Sequence, residues 1–353
     1  MDHHIFKYNQ PFQLESGETL PQLQIQYSTL GKLDHTKNNV VWICHALTAN
    51  SDAESWWEGM VGDKMVYDPA RHFIICAAII GSCYGSTGPT DINPKTKKPY
   101  FLTFPLVTIR DMVRAHILLR EHLGVKRIHS LVGGSLGGQQ AVEWAIMENG
   151  IFDNFSLLAT NAFHSPWGIA LNETQRMAIA ADPTWNEEDE NAGREGLKAA
   201  RAIAFLSYRN FEAYQKTQAE TDIEKIDHYR ASSYQQHQGN KLVSRFNCHA
   251  YYYLTKALDS HQVGRGRGGV ESALNTINSR TLVVGISSDI LFPVSEQKFL
   301  AEHIPGAKYV EIDSFYGHDG FLTEAKTISK IFREFYSTEQ IVETKTPVTE
   351  PKI

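Results

Sequence analysis

The chain has 353 residues and a mass of 39.8 kDa, room for one large domain or two modest ones with a substantial core. Apolar residues make up 42% and charged residues 21%, a balance that excludes a wholly disordered or fibrous chain. With 34 Lys/Arg against 40 Asp/Glu the formal charge is −6; no basic block is present, so neither a nucleic-acid nor an anionic-membrane surface is expected. The longest apolar runs, near residues 40–44 and 74–80, are far too short for a membrane span. Met1-Asp2-His3-His4 opens without the basic and apolar regions of a signal peptide. Cys44, Cys76, Cys83 and Cys248 have no CxxC spacing, which argues against a disulfide framework or a zinc ribbon. A cytoplasmic globular protein is expected.

In chain order, residues 23–30, 39–44, 72–80, 127–132, 154–160, 280–286 and 307–312 read as strands, several apolar on both parities as in a sheet covered on both faces. Between them, Met112, Ala115, Leu119 and Leu123 recur at helical spacing over residues 111–123, with Gly124 as the stop. Residues 139–147 and 323–336 also read as helices. Strand–helix alternation predicts an α/β fold with a mostly parallel sheet and crossover helices. The alternation lapses between about residues 165 and 260, where helical segments at 173–181, 196–216 and 245–259 stand without strands. The expected division is therefore a core of 1–164 and 266–337, an inserted helical lid at 165–265, and a flexible tail at 338–353.

Gly133-Gly134-Ser135-Leu136-Gly137-Gly138 lies between a strand and a helix. A nucleophilic serine on such a turn needs strained backbone angles and neighbours almost free of side chains. Gly133, Gly137 and Gly138 provide that clearance. A serine hydroxyl needs a base, and the base an orienting acid. His318, in Tyr316-Gly317-His318-Asp319-Gly320, follows the last strand; Asp289, in Ser288-Asp289-Ile290-Leu291-Phe292-Pro293, follows the one before. Asp313 and Asp319 compete as the acid, but Asp319 adjoins the histidine and is ranked as a substrate group, and Asp313 as a loop residue. The expected oxyanion donors are the backbone N–H of Leu136 and that of Leu47 or Thr48 in His45-Ala46-Leu47-Thr48. The order Ser…Asp…His is that of an α/β-hydrolase fold.

With these segments in place the sequence resembles the homoserine O-acyltransferases, the acetyl-CoA-using branch of the α/β-hydrolase superfamily, from about residue 12 to 335. The resemblance rests on the three motifs above together with residues 81–89 (GSCYGSTGP), Phe104-Pro105, Thr108-Ile109-Arg110-Asp111, Glu143-Trp144-Ala145 and Phe321-Leu322. It implies a ping-pong cycle in which Ser135 takes the acyl group of acetyl-CoA and an amino-acid hydroxyl, that of L-homoserine, collects it. His318 would serve as base and acid, and Asp289 as its orienter. No bound cofactor is implied, and a homodimer through the lid is. The family's substrate-reading Arg and Asp match Arg201 and Asp319. Tyr208, seven residues from Arg201 in a helical stretch, shares its face.

Alternatives stand beside several of these readings. Arg201 as a solvated residue paired with Glu195 is the bland reading, and Arg176 is a rival carboxylate clamp. Leu136 and Gln139 stand where the family commonly has Met, and the acidic stretch 186–189 replaces a usual Gly and Tyr. Arg265 and Arg267, in a Gly-rich return loop, are weighed for CoA phosphates but fit a flexible loop better. No HExxH or DxDxDG motif appears, so no metal is expected. The competing functions are succinyl transfer, serine as acceptor, a hydrolase using water, and a non-catalytic scaffold.

Overall fold

The structure, a computed structural model, describes residues 1–343. Eight segments rich in β-branched, Leu and aromatic residues pair into one sheet: β1 (Asp2–Tyr8), β2 (Leu23–Leu30), β3 (Val40–Cys44), β4 (Phe73–Ala77), β5 (Ile128–Gly134), β6 (Phe152–Leu158), β7 (Arg280–Ile286) and β8 (Lys308–Ile312). Their spatial order is β1-β2-β4-β3-β5-β6-β7-β8. β1 pairs antiparallel with β2 and β2 with β4; all later neighbours run parallel. β1 was not expected, because its His3 and His4 break any apolar alternation and most of its residues are exposed on the sheet edge. The register sets Cys44 beside Gly133, so the loops leaving β3 and β5 start side by side. The loops after β7 and β8 open at the same carboxyl edge, where such sheets carry their sites.

Four helices flank the sheet: α1 (Ile109–His122), α2 (Leu136–Met147) and, late in the chain, Val294–His303 and Ala325–Glu343. α1 starts two residues before its expected start because Thr108 caps it: its side chain accepts from Asp111 N–H, and the Asp111 carboxylate accepts from Thr108 N–H. Every residue of β3 is buried. Trp42 meets Trp144 of α2 edge to face at 4.9 Å on one side, while Val41 and Ile43 pack with Phe332 on the other. The last helix runs to Glu343, six residues into the segment expected as a tail; residues 344–353 lie outside the described residues. Among the described residues no helix is long and apolar enough to cross a membrane.

Between β6 and β7 come five longer helices, α3 (Pro166–Ala180), α4 (Arg194–Tyr208), α5 (Phe211–Gln218), α6 (Arg230–Val243) and α7 (Cys248–Asp259). The single helix expected over 196–216 is two, because the Asn210 side chain accepts from Ala213 N–H and begins α5. α6 was missed; its sequence is polar, with only Gly239, Leu242 and Val243 buried. The return loop is anchored: Arg267 Nη1 lies 2.9 Å from Glu143 of α2 and Arg265 Nε 3.0 Å from Glu15.

Five histidines, His45, His116, His164, His249 and His261, are buried within this scaffold. Burial pushes His45, His116 and His249 down to about 4, and His164 and His261 to about 3. In the unfolded chain each regains a pKa of about 6.5, so between about pH 6.5 and 4 the unfolded state binds more protons. Stability is therefore complete above that window and falls as the pH drops through it. His72, pushed down to about 4 mainly by burial, adds to this; His318, whose pKa is raised, and buried carboxyls such as Glu296, pushed up to about 7, act in the opposite sense and offset part of the loss. Urea unfolding at pH 7 and pH 5 is expected to show a loss of several kcal/mol at the lower pH.

Candidate active site

β5 ends in a turn in which Ser135 adopts φ 56° and ψ −129°, a conformation L-residues avoid. It survives because the neighbours leave no room for alternatives. A Cβ on Gly133 would fall 2.2 Å from the Gly137 carbonyl oxygen, and one on Gly137 would fall 2.1 Å from that of Cys44. Ser135 N–H donates to Leu158 O at 3.0 Å, and the Thr160 hydroxyl donates to Ser135 O at 2.8 Å.

His318 sits in a short helical turn after β8, with Nε2 2.9 Å from Ser135 Oγ and Nδ1 2.6 Å from Asp289 Oδ2. A carboxylate only accepts, so Nδ1 carries the proton and Nε2 is left to accept from the serine hydroxyl. Asp289 Oδ1 in turn accepts from the backbone N–H groups of Leu291 (2.8 Å) and Phe292 (2.9 Å). Burial alone would lower the His318 pKa, but the nearby Asp289, Asp319 and Glu296 carboxylates outweigh it and hold the pKa above its ordinary value. Asp313 takes no part; it accepts from Ser287 Oγ on the surface.

The loop after β3 is locked by a buried network. His45 Nε2 accepts from Ile79 N–H at 3.1 Å, which leaves Nδ1–H to donate to Ala46 O at 2.8 Å. Gln140 Nε2 donates to His45 O (3.1 Å) and Leu136 O (3.3 Å), and its Oε1 faces His116 Nε2 at 3.0 Å. One amide thus joins the β3 loop to the serine turn. Leu136 is the first residue of α2, so its N–H has no acceptor within the helix.

A cavity of about 370 Å³ opens onto Ser135 and His318 and is lined also by Leu47, Arg201, Tyr208 and Asp319. The Arg201 guanidinium lies over the rings of Phe205 (4.4 Å) and Tyr208 (5.2 Å), and Glu195, its expected surface partner, pairs with Lys198 instead. Arg176 is committed elsewhere: it ion-pairs with Asp259 at 2.5 Å and Glu173 at 2.6 Å. The Tyr208 ring is 5.9 Å from that of His318. Asp319 lies 3.2 Å from Arg209 Nε; burial pushes its pKa up, against the pull of Arg209, His318 and Arg201. Arg209 and Arg245 escaped the sequence reading. Arg245 donates to Thr48 O at 2.5 Å and Tyr84 Oη at 2.8 Å, and no motif marks either arginine. Gln139 is accommodated by a polar chain: it donates to Asn161, which donates to Glu296, a carboxyl pushed up to about 7 by burial.

A serine–histidine–aspartate relay on loops after β5, β8 and β7 of such a sheet is an α/β-hydrolase arrangement, and the alpha/beta hydrolase fold family matches residues 39–325. The homoserine O-acetyltransferase of Cyclobacterium marinum is 45% identical over 336 residues, 95% of both chains. The chain belongs to the homoserine O-acetyltransferase family. Among solved structures, the homoserine O-acetyltransferase of Bacillus anthracis superposes with a TM-score of 0.88 at 24% identity, over 95% of this chain and 97% of that one. Esterase E22 reaches 0.86 at 23%, over 95% and 99%. At these identities the likeness is one of fold, which an esterase shares equally.

Reaction of Ser135 with a fluorophosphonate probe reads the relay without any assumed substrate. Asp289→Asn is expected to slow labelling by about 10⁴-fold, the loss seen when a triad acid no longer holds the tautomer. Gln140→Leu, which frees the β3 loop but leaves the relay, is expected to slow it by about tenfold or more.

Proposed function

We propose that the protein moves the acetyl group of acetyl-CoA onto the side-chain hydroxyl of L-homoserine through an acetyl ester on Ser135, giving O-acetyl-L-homoserine for methionine biosynthesis. Ser135 Oγ attacks the thioester carbonyl as its proton passes to His318 Nε2, and the imidazolium is held by Asp289. The backbone N–H groups of Leu136 and Leu47 receive the oxyanion. Collapse breaks the C–S bond, and the departing CoA thiolate takes the proton from His318. The homoserine hydroxyl then gives its proton to His318 and attacks the acetyl-serine; collapse returns that proton to Ser135 Oγ.

The observation that carries an amino-acid acceptor is the pairing of charges in the Ser135 cavity. Arg201 forms no ion pair among the described residues, and Asp319 stands beside the base. A guanidinium fork suits the substrate carboxylate, and Asp319, which meets Arg209 through Oδ2, suits the ammonium through its other oxygen. Tyr208 walls the space between them. With the acceptor held there, water is excluded from the acetyl-enzyme. A cytoplasmic homodimer completes the reading. Exposed apolar side chains on the helical insertion support the pairing: Leu206 is 57% exposed, Phe211 71% and Ile223 92%.

Release of CoA from acetyl-CoA, followed with and without homoserine, tests the acceptor. A large stimulation by homoserine is expected, and equal rates would make the protein a hydrolase. Repeating the assay with succinyl-CoA and with serine is expected to favour the acetyl and homoserine pair. Arg201→Ala is expected to lower kcat/KM for homoserine by about ten- to a hundredfold, the worth of a charge-assisted hydrogen bond.

A further inference from the structure

A second cleft, of about 270 Å³, adjoins the Ser135 cavity; its walls include Cys83, Glu190, Asn191, Arg194, Arg245 and Asn247. Arg245 lines both spaces, and Cys83 on this side is followed in the chain by Tyr84 on the other. An extended molecule with one end at Ser135 that passes Arg245 therefore enters the cleft.

The cleft gathers positive charge in a chain whose formal charge is −6. Arg245 spends its hydrogen bonds on the Thr48 carbonyl and hydroxyl and on Tyr84, none of which neutralises a cation. Arg194 makes no ion pair among the described residues. It is also the first residue of α4, whose own first-turn N–H groups are already met by the Asp182 carboxylate, Gly196 N–H donating to it at 2.9 Å, so the positive charge on this cleft is that of the two guanidinium groups. Opposing them is one carboxylate, Glu190, on the rim. Two guanidinium groups around an open polar cleft suit phosphate oxygens.

We propose that this cleft seats the phosphate groups of the acyl donor, with Arg194 and Arg245 as their cations and Glu190 as a moderating charge. This inference rests on the acetyl-CoA reading and adds to it where the far end of the donor lies. The thioester carries no charge, so the phosphates are the part of the donor that cations recognise.

The test compares acetyl-CoA with S-acetyl-N-acetylcysteamine, a thioester without phosphate, in acetyl transfer to homoserine. The quantity read is the ratio of kcat/KM for the two donors. Arg194→Ala is expected to lower that ratio at least tenfold, Arg194→Lys to restore most of it, and Glu190→Gln to raise it. Arg245 is left unchanged, because it also supports the loop that carries Leu47. An unchanged ratio in both Arg194→Ala and Glu190→Gln, or equal losses with both donors in Arg194→Ala, would overturn the assignment. Failure of the unaltered protein with both donors would instead overturn the acetyl-CoA reading, and this assignment with it.

Discussion

The backbone at Ser135 is the constraint on which the site depends. A serine at φ 56° exposes its hydroxyl at the sheet edge, and that conformation is kept only while Gly133 and Gly137 let the chain pass close to itself and to β3. The same close passage brings the first turn of α2 against the end of β3, so the serine turn and the β3 loop are set by one packing contact. Gln140 fastens the contact from inside through His45 and Leu136. The two loops carrying Asp289 and His318 then need only the right strand order, which β7 and β8 supply.

What separates a transferase from an esterase on this scaffold lies outside the relay. Esterase E22 shares the fold as closely as a homoserine O-acetyltransferase does, so the fold alone does not choose the acceptor. In the function proposed above, the choice falls to charges gathered where the helices between β6 and β7 meet the His318 turn. Arg201 and Arg209 both come from α4 or its end, and Asp319 comes from the His318 turn. On that proposal, fixed charges at the junction favour a zwitterion over water, and the hydrogen-bonding cost of a mismatched polar group makes such sites selective.

The relay and the parallel sheet were legible because each leaves a local mark: glycines around a serine, apolar runs on both parities, and acid before base in the strand order. The run of helices between β6 and β7 was legible only as a lapse in alternation. β1 escaped because an exposed edge strand needs no apolar face, and the helix over 294–303 because a Pro-led, mostly polar segment has a weak stripe. Arg209 and Arg245 escaped for a different reason. Arg245 meets Thr48 across 197 residues of chain, and a contact of that span is created by the fold. Arg265 and Arg267 show the converse, since a Gly-Arg repeat weighed for phosphate and read as a flexible loop is anchored on Glu15 and Glu143.

The central claim is a covalent acetyl-enzyme on Ser135 formed before the acceptor arrives. Intact-mass spectrometry after mixing with acetyl-CoA in the absence of homoserine measures this directly, with peptide mapping to place the adduct. One acetyl group on Ser135, discharged on adding homoserine and absent in Ser135→Ala, is the result the account predicts. Transfer at the unaltered rate by Ser135→Ala, with no adduct on the native chain, would contradict it.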